Sequence, residues 1–554
     1  MTLPRGGWGR ECGAVLWLAV AALLTHIPLA AGQRGPQAMP QPRPRLVVVI
    51  AVDQLRADYL DRFRPFFSSG GFNLFLQRGA SFPEARYRHA NTSTCPGHAV
   101  MLSGSYAEVN GIVANGWYDR QAGRAVNCAE DRAVRQVGSS GPGRSPRNLL
   151  GATVGDLLKT ATAGRSRVVT VAGKDRAAIM LGGHLADAAY WIVDTLVVTS
   201  TYYRRDLPAW VRAFNGSRAF SGRVGRTWDR LLPAALYQMM GRDDEPAERD
   251  EAGMGRTFPH PLASADAVGN SPFLNDIIAD IAMSAVEAEG LGRDTVPDLL
   301  GIGFSANDHV GHTYGPDSHE VMDATVRLDR TLQRLFDALD RSVALANIVV
   351  VLTADHGVGP MPEVMKRVRP AQSAAGRLDP TIIDTAARRA LTARYGQIPS
   401  PGWIVSHSPP MIYLNVAALG ALNVSVEDAE RVAQAAVRAV PGVHDALTSS
   451  ELSRQRAAGI ETATVRSFHP SRSGNLYYML EPYWLTDASP TGADHGSPWR
   501  YDQEVPLLWF GRSIVPGVHR GSADIADLAP TLCALLGLTS PGGAQGQVLP
   551  GLLR

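Results

Sequence analysis

Three aspartates, three histidines and a threonine stand in short motifs along this sequence, and together they carry the donor chemistry of a two-ion site. Asp308 and His312 are four residues apart, so one helical turn projects both to the same side. Asp355 and His356 are adjacent, Asp53 ends an apolar run, and His495 lies in Asp494-His495-Gly496-Ser497-Pro498. Carboxylate oxygens and imidazole nitrogens form the mixed donor set that suits Zn2+. Thr94 lies in Thr92-Ser93-Thr94-Cys95-Pro96-Gly97-His98. Thr is a favoured helix cap and Pro is tolerated in a first turn, so the pattern predicts Thr94 just before a helix starting near Pro96. Its hydroxyl would then face the positive end of a helix dipole, which attracts anions. Each feature alone has a bland reading, since capping threonines and packed histidines are common. Their joint arrival near strand ends is the informative observation.

Cationic and amide groups complete the set. Gly173-Lys174-Asp175-Arg176 follows another apolar run. Lysine supplies a point charge and arginine a planar fork that matches phosphoryl oxygens. Without ions nearby, surface salt bridging would be the default for both. Asn115, in Val113-Ala114-Asn115-Gly116-Trp117, is by composition a turn residue.

The elements that must position these groups follow from hydrophobic patterning. Leu46–Val52, Val168–Ala172, 299–304, 348–352 and 505–510 are short apolar runs, most of them β-branched and each bounded by polar residues or glycine. Uninterrupted apolar strands are what a parallel sheet covered on both faces requires. Between them lie helical patterns: Leu328, Leu332, Leu335, Phe336 and Leu339 share one face. The alternation predicts an α/β fold, a mostly parallel sheet sandwiched by helices, with ligands at the carboxyl ends of its strands.

Two stretches read as insertions. Residues 200–270 show little strand character, and 361–480 suggest a small α+β cap that includes a helix over 426–440 with Ser425 as its cap. The expected organisation is a core over 46–360, the cap over 361–480, and a return to the core over 481–554. Ahead of these, Arg5, Arg10, the apolar run 14–24 and Pro28-Leu29-Ala30-Ala31-Gly32 predict a signal peptide over 1–32, then a Pro/Gln/Arg-rich leader over 33–45.

Composition excludes several function classes. Hydrophobic residues at 45% and charged residues at 19% leave room for a large core, so disorder is not the main state. Lys and Arg total 54 against 52 Asp and Glu, a net charge of +2, which provides no footprint for nucleic-acid binding. Beyond residue 31 no apolar run approaches the ~18 residues that span a bilayer, so no stable membrane insertion is expected. A periplasmic or secreted monomer is expected. Cys95 and Cys128 could pair in an oxidising compartment; their spacing leaves this open.

The motifs resemble those of the alkaline phosphatase superfamily, specifically the secreted bacterial alkaline phosphatases with a threonine nucleophile, relatives of the type I phosphodiesterase/nucleotide pyrophosphatases. The resemblance rests on Ala51-Val52-Asp53-Gln54, Thr94-Cys95-Pro96-Gly97-His98, Ile112 to Trp117, Val171 to Met180, Asp308-His309-Val310-Gly311-His312, Thr353-Ala354-Asp355-His356-Gly357 and His495-Gly496-Ser497-Pro498, and covers nearly the whole chain after the signal. It implies a phosphate monoester hydrolase with a phosphothreonine intermediate and two Zn2+ per site. Asp308, His312 and His495 would hold one ion. Asp53, Asp355 and His356 would hold the other, with Thr94 as nucleophile and ligand. Asn115, Lys174 and Arg176 would address the phosphoryl oxygens of small phosphate monoesters. Whether Ca2+ adds structural support stays open on ligand type. The rival on the same site is a phosphodiesterase or nucleotide pyrophosphatase; the Lys174/Arg176 pair, which those relatives lack, favours monoesters. A sulfatase fits less well, because Thr94 is neither the cysteine nor the serine that becomes formylglycine. An exported phosphate- or metal-binding protein without turnover is the alternative from another class.

Overall fold

The computed structural model describes residues 43–370, 374–454, 461–487 and 489–554. The expected signal peptide and leader residues 33–42 lie outside the described residues.

Every residue of β1 (Leu46–Val52) is buried, as its all-apolar sequence demands of a strand covered on both faces. The same holds for β2 (Val168–Ala172). With β3 (Ala188–Val193), β4 (Asp298–Phe304), β5 (Ile348–Thr353) and β6 (Leu507–Gly511), these strands build most of a ten-stranded sheet. The central order β5-β1-β4-β2-β3 is parallel throughout, and β6 pairs antiparallel with β5. One row of the register runs Leu352, Ile50, Ile302, Val171 and Tyr190. The carboxyl ends therefore lie side by side, and Asp53, Lys174, Asp308, Asp355 and His356 follow those ends within a few residues.

Four helices matter for the site: α1 (Thr94–Ser103), α2 (Asp175–Gly182), α3 (Ala306–Tyr314) and α4 (His319–Val343). The five apolar residues expected on one face of α4 are all buried, and Ser318 caps it by accepting from the Val321 amide at 3.1 Å. Residues 200–270 pack on α4 through buried Asp323, which accepts from Trp228 Nε1 at 2.7 Å and Tyr237 Oη at 2.5 Å.

A second sheet, of four strands, runs in the order Ile404–Ser408, Met411–Leu414, Leu476–Leu480, Val443–Thr448. Its neighbours are all antiparallel. Ile412, Leu414, Leu476 and Tyr478 face the helices Pro380–Tyr395 and Val426–Arg438, whereas Met411, Tyr413, Tyr477 and Met479 pack with residues of α1 and α2. The alternation is the two-residue period of a strand serving two different partners. Ser425 caps the second helix as expected.

One local expectation changes. Helix α1 begins at Thr94 with Ser93 extended as its cap (φ −128°, ψ 164°), so Thr94 occupies the first helical position rather than the residue ahead of it. Pro96 then falls inside the first turn, where its missing N–H costs nothing.

A candidate two-ion and phosphate site

Of the side chains that follow the strand ends, Lys174 and Asp308 line one cleft of about 400 Å³ with Thr94, Asn115, Arg176, His312 and His495, and Asp53 and His356 adjoin it through Asp308. Two groups of ligand-type atoms lie within 4.8 Å of one another: Asp308 with His312 and His495, and Asp53 with Asp308 and His356. Asp308 belongs to both. Its Oδ1 is 3.2 Å from His312 Nε2 and 3.6 Å from His495 Nε2, while His356 Nε2 is 3.4 Å from Asp53 Oδ1. Asp355 stands slightly apart, with Oδ2 3.6 Å from His356 Nε2 and 3.3 Å from His98 Nδ1.

The three imidazoles share one orientation logic. Nδ1 of His312, His356 and His495 is bonded to the carbonyls of Ala493 (2.8 Å), Gly357 (3.0 Å) and Thr92 (2.8 Å). Each Nδ1 therefore carries the proton in the neutral ring, and each Nε2 turns its lone pair to the centre, the arrangement of metal-binding histidines. Asp355 Oδ2 and His356 Nε2 are buried and make no hydrogen bond among the described residues. Burying such atoms unpaired is costly, and a divalent cation is the partner that satisfies a carboxylate oxygen and a ring lone pair together. The donor set thus fits two ions of the zinc class.

Electrostatics point the same way. Burial and the Asp308 charge raise the Asp53 carboxyl, but Lys174 and His356 outweigh them and hold it well below the carboxylate range. Burial also raises Asp308, and His312 and Lys174 pull it far down. Burial lowers His312, yet neighbouring Asp308 wins and holds it at about 9. His356, buried but flanked by Asp355 and Asp53, likewise sits at about 9. His495 is driven well below its usual value by burial and by the other two rings, His356 stacking on it at 3.5 Å. The carboxylates call for positive charge, which either protons or metal ions supply.

Lys174 Nζ bridges Asp53 (2.6 Å) and Asp308. Arg176 lines the cleft, and its Nε makes no hydrogen bond among the described residues. Asn115 Oδ1 accepts from the Cys95 amide at 2.7 Å, which leaves the Asn115 NH2 group for the cleft. A Cys95–Cys128 disulfide completes this brace beside Thr94, resolving a pairing that spacing left open.

Two residues of the site carry no recognisable signal of their own in the sequence. Gln54 adopts a left-handed backbone (φ 64°), donates from its amide nitrogen to Asp355 Oδ1 at 3.2 Å and from Nε2 to Asp308 Oδ1 at 2.9 Å. It therefore ties together carboxylates of both ion groups. Gly311 makes room for it, since a Cβ there would fall 1.8 Å from Gln54 Oε1. His98 Nδ1 lies 2.9 Å from the Thr94 carbonyl and 3.3 Å from Asp355, joining the threonine to a ligand. Only adjacency to Asp53 and Thr94 could have singled these two out.

Comparison with known proteins matches this geometry. Residues 47–499 match the family of type I phosphodiesterases and nucleotide pyrophosphatases. Alkaline phosphatase PhoV of Synechococcus elongatus is 32% identical, over 94% of this chain and 95% of its own. Alkaline phosphatase PafA of Elizabethkingia meningoseptica is 31% identical, over 91% and 94%. The crystal structure of wild-type alkaline phosphatase PafA superposes with a TM-score of 0.88 at 31% identity, covering 93% of this chain and all of that one. A solved PafA variant (TM-score 0.87, 30% identity, 93% and 100% coverage) carries Thr→Ser, Asn→Ala, Lys→Ala and Arg→Ala changes together, the residue types of Thr94, Asn115, Lys174 and Arg176. With a profile spanning most of its length and relatives of this similarity along it, the chain belongs to the type I phosphodiesterase/nucleotide pyrophosphatase family, among its alkaline phosphatases.

Proposed function

We propose that the protein hydrolyses phosphate monoesters, with Thr94 as nucleophile and two zinc ions held by Asp308, His312 and His495 and by Asp53, Asp355 and His356. The observation that carries this reading is that Asp308, His312 and His495 line the same cleft as Thr94 and that Asp308 joins them to a second group with Asp53 and His356. When bound, the ions lower the pKa of a coordinated hydroxyl and neutralise charge on the attacking and departing oxygens. The chain's own residues do the rest. Thr94 Oγ1 loses its proton to solvent and bonds to phosphorus as the ester P–O bond breaks in line, and the alkoxide that leaves takes a proton from solvent. Water then attacks the phosphothreonine and releases phosphate, restoring the hydroxyl. Asn115 and Arg176 orient the equatorial oxygens, and Lys174 adds charge beside Asp53 and Asp308. The positive end of the α1 dipole favours the anion further.

A monoester dianion carries one more charge than a diester, so Lys174 and Arg176 favour it. The family profile also covers diesterases, and Lys174→Ala and Arg176→Ala separate the two readings. A much larger loss on phenyl phosphate than on its methyl diester supports monoesters; equal losses support the diesterase. Acid-quenched enzyme labelled with 32P-phosphate ester is expected to carry label on Thr94, and Thr94→Ala to lose at least about 10^4-fold in kcat. An active enzyme with unlabelled Thr94 would rule the mechanism out.

The same reading makes the protein an exported monomer: a disulfide suits an oxidising compartment, and among the described residues no helix is long and apolar enough to cross a membrane. It also takes residues 361–480 as a small α+β cap on the α/β core.

A further inference from the structure

Arg176 lines the cleft with a buried Nε that makes no hydrogen bond among the described residues. Its Nη1 lies 4.0 Å from Asp175 Oδ1, beyond hydrogen-bond reach although the two residues are adjacent and opposite in charge. The carboxylate is engaged elsewhere. Its Oδ1 accepts from the Arg176 amide at 2.7 Å in the first turn of α2, and its Oδ2 accepts from Arg144 Nε at 2.5 Å. Arg144 belongs to a separate excursion of the chain, residues 116–148, that begins directly after Asn115. The loop carrying it is well anchored. Asp131 Oδ2 accepts from the buried Ser145 hydroxyl at 2.7 Å, and the Asp131 and Ser145 amides donate to the carbonyls of Gly143 (3.0 Å) and Ala129 (2.9 Å). A Cβ at Gly143 would fall 2.1 Å from the Val134 carbonyl oxygen, so the loop closes tightly there. The Cys95–Cys128 disulfide ties the same excursion to α1. The Arg144 and Asp175 side chains are only 14% and 18% exposed, which shields their pair more than an ordinary surface salt bridge.

We propose that Arg144 is a positioning residue for phosphate recognition: by holding the Asp175 carboxylate, it keeps Arg176 free for the phosphoryl oxygens. The inference rests on the monoesterase reading above, which assigns Arg176 to those oxygens. A shift of about 1 Å would turn the 4.0 Å approach of Asp175 and Arg176 into a charge-assisted hydrogen bond. A guanidinium captured in that way has fewer donors and less net charge to offer a dianion. Arg144 is the competing partner that prevents the capture. Its charge also offsets that of Asp175, which would otherwise repel a phosphoryl group bound by the neighbouring residue.

The test is a double-mutant cycle on the intact enzyme, read by kcat/KM for phenyl phosphate and by inhibition with inorganic phosphate. Arg144→Ala is expected to lower kcat/KM and to weaken phosphate inhibition, each about tenfold. In the Arg176→Ala background the same change should cost about twofold at most, because no guanidinium is left to capture. Arg144→Ala combined with Asp175→Asn should recover most of the loss, since the side-chain oxygen still accepts from the Arg176 amide but carries no charge. Equal losses from Arg144→Ala in the two backgrounds mark a structural or long-range effect and overturn the proposal, as does a fully active Arg144→Ala enzyme. Both results spare the monoesterase reading when Arg176→Ala is itself impaired. An Arg176→Ala enzyme that matches the wild type on both readouts removes Arg176 from the site and overturns that assignment and the proposal together. Arg144→Gln, which fills similar space without the charge, repeats the cycle and must show the same dependence on Arg176.

Discussion

The two sheets differ in how much freedom their sequences leave. Strands β1, β2, β4 and β5 are apolar at almost every position because helices cover both faces, and their shared register brings five polar side chains to one edge. The four-stranded sheet alternates, one face on its own helices and the other on α1 and α2. In the core, chemistry sits where strands end. In the four-stranded sheet, adjacent residues serve two different cores. The contrast predicts that core substitutions act on ions and catalysis, and cap substitutions on stability.

The sharpest way to break that division is Asp308→Asn. Because Asp308 is assigned to the ion held with His312 and His495 and also lies within reach of Asp53 and His356, metal analysis should find the first site emptied and the second weakened, with kcat/KM lowered by roughly 10^3-fold or more. His495→Ala should deplete one site only. Loss of the first ion alone in Asp308→Asn, with the second held as tightly as before, would mean that the carboxylate is not shared.

Gln54→Ala should weaken metal binding by about 10- to 100-fold, the usual cost of losing a partner that orients ligands. Zinc titration against a competing chelator measures it, and an unchanged affinity would reduce Gln54 to a packing role.

A smaller effect follows from protons. In the ion-free protein His312 and His356 are raised to about 9, above the ordinary 6.5, so a metal ion binding there must displace their protons at pH 7. Calorimetry in buffers of different ionisation enthalpy should show proton release at pH 7 that fades above about pH 9. Because the folded-state values are raised, these imidazoliums stabilise the ion-free protein fully below pH 6.5, and the contribution is lost as pH rises through about 9. Release of no protons at pH 7 would contradict the assigned ligands.

The mildest catalytic effect should come from the cap core. Leu391 is fully buried among the cap helices. Leu391→Ala should cost about 2–5 kcal/mol by urea unfolding while kcat for methyl phosphate stays within about twofold. A large fall in kcat would show that the cap shapes the ion site as well.

Much of the ligand set could be read from one chain because each residue follows a recognisable element. Apolar strands announce themselves by composition, and the spacing of Asp308 and His312 is that of a helical turn. Helix α1 was placed two residues late because Ser93, and not Thr94, adopts the extended cap conformation. Gln54 and His98 were invisible as functional groups, since their partners are distant in sequence or are backbone atoms.

The amino-acid order by itself determined which segments are covered on both faces, hence the α/β fold, and which side chains follow strand ends, hence the ligand inventory. Only the tertiary structure decided that Asp308 serves both groups, that Gln54 bridges them, and that Arg144 pairs with Asp175 beside Arg176. Strand and helix periodicity are properties of neighbours along the chain. Sharing a carboxylate or pairing two charges depends on distances of a few ångströms between segments far apart in sequence, which no local pattern encodes.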